Sequence, residues 1–135
     1  MKIILDCNIW ISFLIGHQTQ LVRKMLTDTR FDIYVCDELK AEIYDVSHRK
    51  KIRKYVSRQD IDDLFDIIHL FCKHDVIQKT AVSHIRDPKD LYLLSFAESI
   101  GANYIVSGDA DLTVLEHYQQ TNIIRLADFK KLMMY

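Results

Sequence analysis

Four carboxylates could carry chemistry together, although no single one of them decides the matter. They are Asp6, Glu42, Asp90 and Asp109, with Asp111 as a fifth candidate. Asp6 follows the apolar run Ile3-Ile4-Leu5, and Ile9 to Ile15 is apolar again. A carboxylate at the edge of a core is costly unless it is paired or bound to a cation. Asp109 follows a second short apolar run, Tyr104-Ile105-Val106, through Ser107-Gly108. Asp90 lies in the first turn of a helix announced by Asp87-Pro88-Lys89-Asp90, and Glu42 lies beside the apolar stripe of another. Carboxylates brought together from separate elements suit Mg²⁺ or Mn²⁺, which prefer hard oxygen ligands. Such ions activate water, orient a phosphodiester and stabilise the leaving oxygen. Without the ion the acids would repel one another, and some would take up protons.

Each acid also has an ordinary structural role open to it. Asp6 could cap the helix that begins near Asn8. Glu42 could be a solvated helix residue, and Asp90 could serve the helix dipole from N3. Asp109 could be a turn residue, and Asp111 the N-cap of the helix that follows. Asn8 and Ser107 are candidates for holding the carboxylates in orientation, or else a cap and a turn hydroxyl. The stretch His48 to Arg58 is basic, with Arg49, Lys50, Lys51, Arg53 and Lys54 as candidate phosphate contacts and Tyr55 as a base-stacking candidate. A solvated face explains the same residues. The six His show no metal-ligand spacing.

The elements that must position these groups alternate between strands and helices. Strands are predicted at Ile3–Leu5, Phe31–Val35, Val76-Ile77, Tyr104–Val106 and Ile123-Ile124. Helices are predicted at 9–15 and 18–27, after an Asp37 cap, after a Ser57 cap, at 88–100, at 112–118 and at 128–134. Gly101 suits the residue just past the 88–100 helix. This order argues an α/β fold with a largely parallel sheet. In such sheets ligands bind beyond the carboxyl ends of the strands, where the strand order reverses. Asp6 and Asp109 both follow strands.

Composition sets the outer bounds. The chain has 135 residues, 49% hydrophobic and 27% charged, with a net charge of −1. This fits one globular domain over 1–135, and no global basic signal points to nucleic acid. Three scattered Cys fit core positions in a reducing compartment. No apolar run is long enough to span a membrane, and the N-terminus is not a signal peptide. The expected location is the cytoplasm.

Taken together, these pieces resemble the PIN-domain family of metal-dependent ribonucleases, and in particular the bacterial toxin components of toxin–antitoxin pairs. The resemblance is carried by Ile4 to Trp10, by Leu39 to Ile43 with Glu42, and by Arg86 to Asp90 with Leu91 to Ala97. It continues in Ala102 to Leu112 and Ala127-Asp128-Phe129, and so covers nearly the whole chain in order. It implies a sheet of about five strands, order 3-2-1-4-5, with helices on both sides. It also implies a pocket of Asp6, Glu42, Asp90 and Asp109 that holds Mg²⁺ or Mn²⁺, with Asp111 less certain. Hydrolysis of single-stranded RNA to a 5′-phosphate and a 3′-hydroxyl is implied as well, as are a homodimer and, for a toxin, an antitoxin that reaches the pocket. Ser107 stands where Thr is commoner, which keeps the hydroxyl. Two rivals stay open. One is a haloacid-dehalogenase-type phosphatase with Asp6 as nucleophile, although that family expects an Asp where Asn8 stands. The other is a non-catalytic RNA- or protein-binding module.

Overall fold

The first strand, β1 (Lys2–Leu5), runs between two parallel neighbours, β2 (Asp32–Val35) and β4 (Tyr104–Val106). Ile3, Ile4 and Leu5 are all fully buried. A strand buried on both faces needs a continuous apolar run rather than an alternating one, and Ile3-Ile4-Leu5 supplies it. The computed structural model describes residues 1–78 and 88–135, and the side chains of residues 88–91 lie outside the described set. The sheet order is β3-β2-β1-β4-β6-β5, with β3 at Lys73–His74, β5 at His117–Tyr118 and β6 at Thr121–Ile124. The five parallel strands reproduce the expected order 3-2-1-4-5. The sixth, β5, is an antiparallel addition at the edge of β6.

The helices are α1 (Cys7–Leu14), α2 (Thr19–Thr27), α3 (Asp37–Ser47), α4 (Lys50–Arg53), α5 (Arg58–Phe71), α6 (Pro88–Ile100), α7 (Ala110–Thr113) and α8 (Leu126–Leu132). Ser57 caps α5 in a reciprocal box: its side chain accepts from the Asp60 N–H, and the Asp60 side chain accepts from the Ser57 N–H. Gly101, at φ +66°, ends α6 in the left-handed region that glycine tolerates best. The core joins Trp10 of α1, Leu39 and Ile43 of α3, Leu93 and Phe96 of α6 and Phe129 of α8 to the central strands. Cys7 and Cys36 are buried, Cys72 is half-buried, and all three are free thiols. No helix among the described residues is long and apolar enough to cross a membrane.

Several expected elements are corrected. The third strand is Lys73–His74, not Val76-Ile77. Pairing starts at Tyr34↔Lys73 and Val35↔His74, and Asp75 N–H then reaches the Val35 carbonyl at 3.1 Å. Because β2 stops at Val35, no strand remains for Val76 and Ile77 to pair with. The helix expected over 112–118 covers Ala110–Thr113 instead. Thr113 and Val114 are β-branched and weak helix formers, and His117–Tyr118 gains a ladder against Asn122 and Thr121. Cys36, not Asp37, occupies the N-cap position of α3; Asp37 is the first helical residue and pairs with His74 at 2.9 Å. The last helix starts at Leu126 rather than Asp128.

Candidate active site

Asp6 leaves β1 in an extended conformation (φ −63°, ψ 159°) and becomes the N-cap of α1. Its Oδ1 accepts the Cys7 N–H at 2.6 Å. Its Oδ2 accepts the Ser107 hydroxyl at 2.6 Å and the Asn8 amide at 3.4 Å. The capping role and the place in the cluster therefore belong to one residue, not to alternatives. The register Leu5↔Val106 brings the carboxyl ends of β1 and β4 side by side, at the point where the chain leaves β1 in opposite directions across the sheet. Ser107 and Asn8 stitch the two ends together. The Ser107 Oγ accepts the Asp109 N–H at 2.9 Å, and the Asn8 Oδ1 accepts the Gly108 N–H at 3.1 Å. Asn8, expected either as a cap or as a support, lies inside the first turn of α1 and spans the gap to β4.

Asp109 is the N-cap of α7, with its Oδ1 on the Asp111 N–H at 2.9 Å. Asp111 is thus not the N-cap expected for that helix but its second residue. It is exposed and lines an outer groove of about 760 Å³ with Ala110, Arg125 and Asp128. Glu42 is half-buried on α3, one position before the fully buried Ile43, and its Oε1 accepts the hydroxyl of Tyr92 from α6.

Asp6 is only 5% exposed. Burial pushes its carboxyl up to about 6; the Ser107 and Cys7 hydrogen bonds pull it down, and the charges of Glu42 and Asp109 push it up again. The same field acts on the neighbouring Cys7 thiol. Burial raises it first, then Glu42 and Asp6, while Arg49 works in the opposite sense. Glu42, Asp109 and the near end of the basic stretch therefore all lie within electrostatic reach of the end of β1.

This donor set consists of hard carboxylate oxygens on three separate elements, and the charges of Glu42 and Asp109 reach the Asp6 carboxyl. That chemistry fits Mg²⁺ or Mn²⁺. Among the described residues no three His, Cys, Asp or Glu stand close enough to enclose an ion. The backbone of Asp90 lies in the first turn of α6, and its side chain falls outside the described residues. Asp87 falls outside them altogether.

The basic stretch is solvent-facing. Arg49, Lys50, Lys51, Arg53 and Lys54 are exposed, and Tyr55 is 75% exposed. Arg49 pairs with Asp45 at 3.1 Å, one helical turn away. Sequence reasoning missed Tyr92, which hides in the apolar run Leu91 to Ala97. Its hydroxyl is the signal that could have found it, because a buried Tyr O–H needs a partner.

Comparison with known proteins adds two findings. The PIN domain family matches residues 2–111. The structure is similar to that of VapBC2 from Rickettsia felis bound to a DNA fragment from their promoter, with a TM-score of 0.56 and 15% identity, covering 91% of this chain and 97% of that one. No curated protein matches the chain.

Proposed function

This chain belongs to the PIN-domain family, and we propose that it is a Mg²⁺- or Mn²⁺-dependent endoribonuclease acting on single-stranded RNA as the toxin of a toxin–antitoxin pair. The observation that carries the reading is the convergence on Asp6. A buried carboxylate at the carboxyl end of the central strand is held by Ser107 and Asn8 and lies within electrostatic reach of Glu42 and Asp109. Asp6, Glu42, Asp90 and Asp109 would hold the cation. Asp111, exposed and lining the outer groove, stays a fifth candidate beside them. When bound, the ion supplies an activated water and charge stabilisation at the leaving oxygen.

The chain's own residues supply the rest. Ser107 donates to one oxygen of Asp6 and the Cys7 N–H to the other, so the carboxylate is fixed before substrate arrives. The exposed cations Arg49, Lys50, Lys51, Arg53 and Lys54 draw the RNA backbone toward that edge of the sheet. Water attacks phosphorus and the 3′ oxygen leaves, giving a 5′-phosphate and a 3′-hydroxyl. The antitoxin partner, the homodimer and the cytoplasmic setting belong to the same reading. The motif match and the fold likeness to VapBC2 support the antitoxin.

Cleavage of single-stranded RNA with Mn²⁺ and with EDTA, in the wild type and in Asp6→Asn and Asp90→Asn, is the test. The expected result is Mn²⁺-dependent cleavage lost in both variants. Full activity in both variants would overturn the metal-site reading. Salt-dependent RNA binding without any cleavage would favour a binding module.

A further inference from the structure

Tyr92 sits on α6, 50 residues from Glu42 in sequence, yet its hydroxyl donates to Glu42 Oε1. It is half-buried, with Leu93 and Leu94 beside it fully buried. Glu42 Oε2 has no partner among the described residues. A glutamate on a helix face has three rotatable side-chain bonds, and a free one samples many directions. The Tyr92 hydroxyl removes much of that freedom by tying down one oxygen.

We infer that Tyr92 is a positioning residue, which fixes Glu42 Oε1 so that Oε2 is presented to the divalent cation before the cation binds. The inference rests on the metal-site reading above. Its physical content is preorganisation: the freedom of Glu42 is lost on folding rather than on binding. A purely structural Tyr would contribute through its ring and would be indifferent to whether residue 42 is an acid. A positioning Tyr acts only through that acid.

The experiment titrates Mn²⁺ into the full chain, following free Mn²⁺ by electron paramagnetic resonance. It compares the wild type with Tyr92→Phe, Glu42→Gln, the double variant, Glu42→Asp and Asp6→Asn. Tyr92→Phe keeps the ring and should weaken Mn²⁺ binding by about 10- to 100-fold. Glu42→Asp keeps the charge and leaves Tyr92 intact but shortens the reach between them, so it should show a similar loss even if Tyr92→Phe folds poorly. In the double variant the Tyr92 change should cost nothing beyond Glu42→Gln. Unchanged affinity in Tyr92→Phe or in Glu42→Asp overturns the inference. So does a Tyr92→Phe loss of the same size with and without Glu42, since that loss would come from packing. Asp6→Asn separates the two levels. If it weakens Mn²⁺ binding while Tyr92→Phe does not, only the role of Tyr92 falls. If the wild type binds no better than Asp6→Asn, the metal-site reading falls and takes this inference with it.

Discussion

The acidic cluster and the basic stretch are built by opposite means. At the ends of β1 and β4, groups about 100 residues apart in sequence meet through hydrogen bonds, the Ser107 hydroxyl to Asp6 at 2.6 Å and the Gly108 N–H to Asn8 Oδ1 at 3.1 Å. From Arg49 to Tyr55 most residues are exposed, and the ion pair there, Arg49 with Asp45, is local and itself exposed. An exposed pair four residues apart on a helix contributes only a few tenths of a kcal/mol. The acids are held by the tertiary fold, whereas the cations are held mainly by their own backbone. A group fixed in advance can act on chemistry at a defined atom. Groups free to move can follow a flexible polyanion but cannot place it to within an ångström. On the proposed function the cluster would set the turnover rate and the stretch the affinity, and substitutions on either side can break that division.

The largest effect is expected at Asp109. Asp109→Asn keeps an N-cap side chain of similar quality for α7, so its melting temperature should stay close to that of the wild type. It removes one negative charge from the cluster. The loss of a few kcal/mol of transition-state stabilisation corresponds to a drop in kcat of roughly 10²- to 10³-fold, with KM for RNA little changed. A rise in KM at unchanged kcat would place Asp109 with the binding surface and undo the division.

The buried acid itself gives the next effect, on stability. The Asp6 carboxyl moves from its ordinary value of 3.8 to about 6 in the folded chain, chiefly by burial. Between those values the folded state holds more protons than the unfolded state, so stability falls as pH rises from about 4 to 6. The difference corresponds to roughly 3 kcal/mol, fully expressed above about pH 6 and absent below about pH 4. Urea melts of the metal-free protein across this range should show that loss. Asp6→Asn, which cannot ionise, should flatten the curve. If both proteins respond to pH alike, Asp6 is not the strained group.

Ser107→Ala follows in size. It deletes the hydroxyl that donates to Asp6 and accepts from the Asp109 N–H. Cleavage should fall by about 10- to 100-fold, as for other outer supports of metal ligands. Ser107→Thr keeps the hydroxyl and should retain most of the activity. Equal losses in both variants would mean that packing at this fully buried position matters rather than the hydrogen bond.

What is legible in the sequence follows the same line. Asp6 and Asp109 stand out because each breaks or ends a short apolar run, and a strand end is a local signal. The start of α6 at Pro88 and the Ser57 cap are legible for the same reason: the residue types that make a helix terminus lie within about four positions of it. The five-strand order comes from the family resemblance, since spacing alone gives alternation and not neighbours. Val76-Ile77 misleads because two β-branched residues look like a strand, while pairing depends on where β2 stops, at Val35. Edge strand β5 is hidden inside a helix-like pattern that yields once β6 offers a ladder. Glu42 is weak in sequence because a charged helix residue is usually solvated, and its distinguishing contact comes from Tyr92, far along the chain. Local chemistry can be read along the chain, and chemistry made by tertiary pairing cannot.

The smallest effect is expected at the basic stretch, and it is the one that most sharpens the division. Lys50, Lys51 and Arg53 are exposed on the four-residue α4, and none forms an ion pair among the described residues. Reversing all three to Glu should leave the melting temperature and Mn²⁺ affinity unchanged, because no buried group loses a partner. If these side chains contact phosphates, each lost contact lowers the salt dependence of RNA binding by about 0.7 in the log–log slope for a single strand. Three lost contacts would lower the slope by about 2 and raise KM roughly tenfold at low salt, with the difference closing as salt rises. The kcat at saturating RNA should stay put, since nothing in α4 touches Asp6. An unchanged slope would reduce the stretch to a solvated face. A fall in kcat at every salt concentration would mean that these cations help to set the field at Asp6, as the charge of Arg49, which this variant leaves in place, already reaches the Cys7 thiol. The two regions would then form one site, and the RNA backbone would be held by the same residues that complete it.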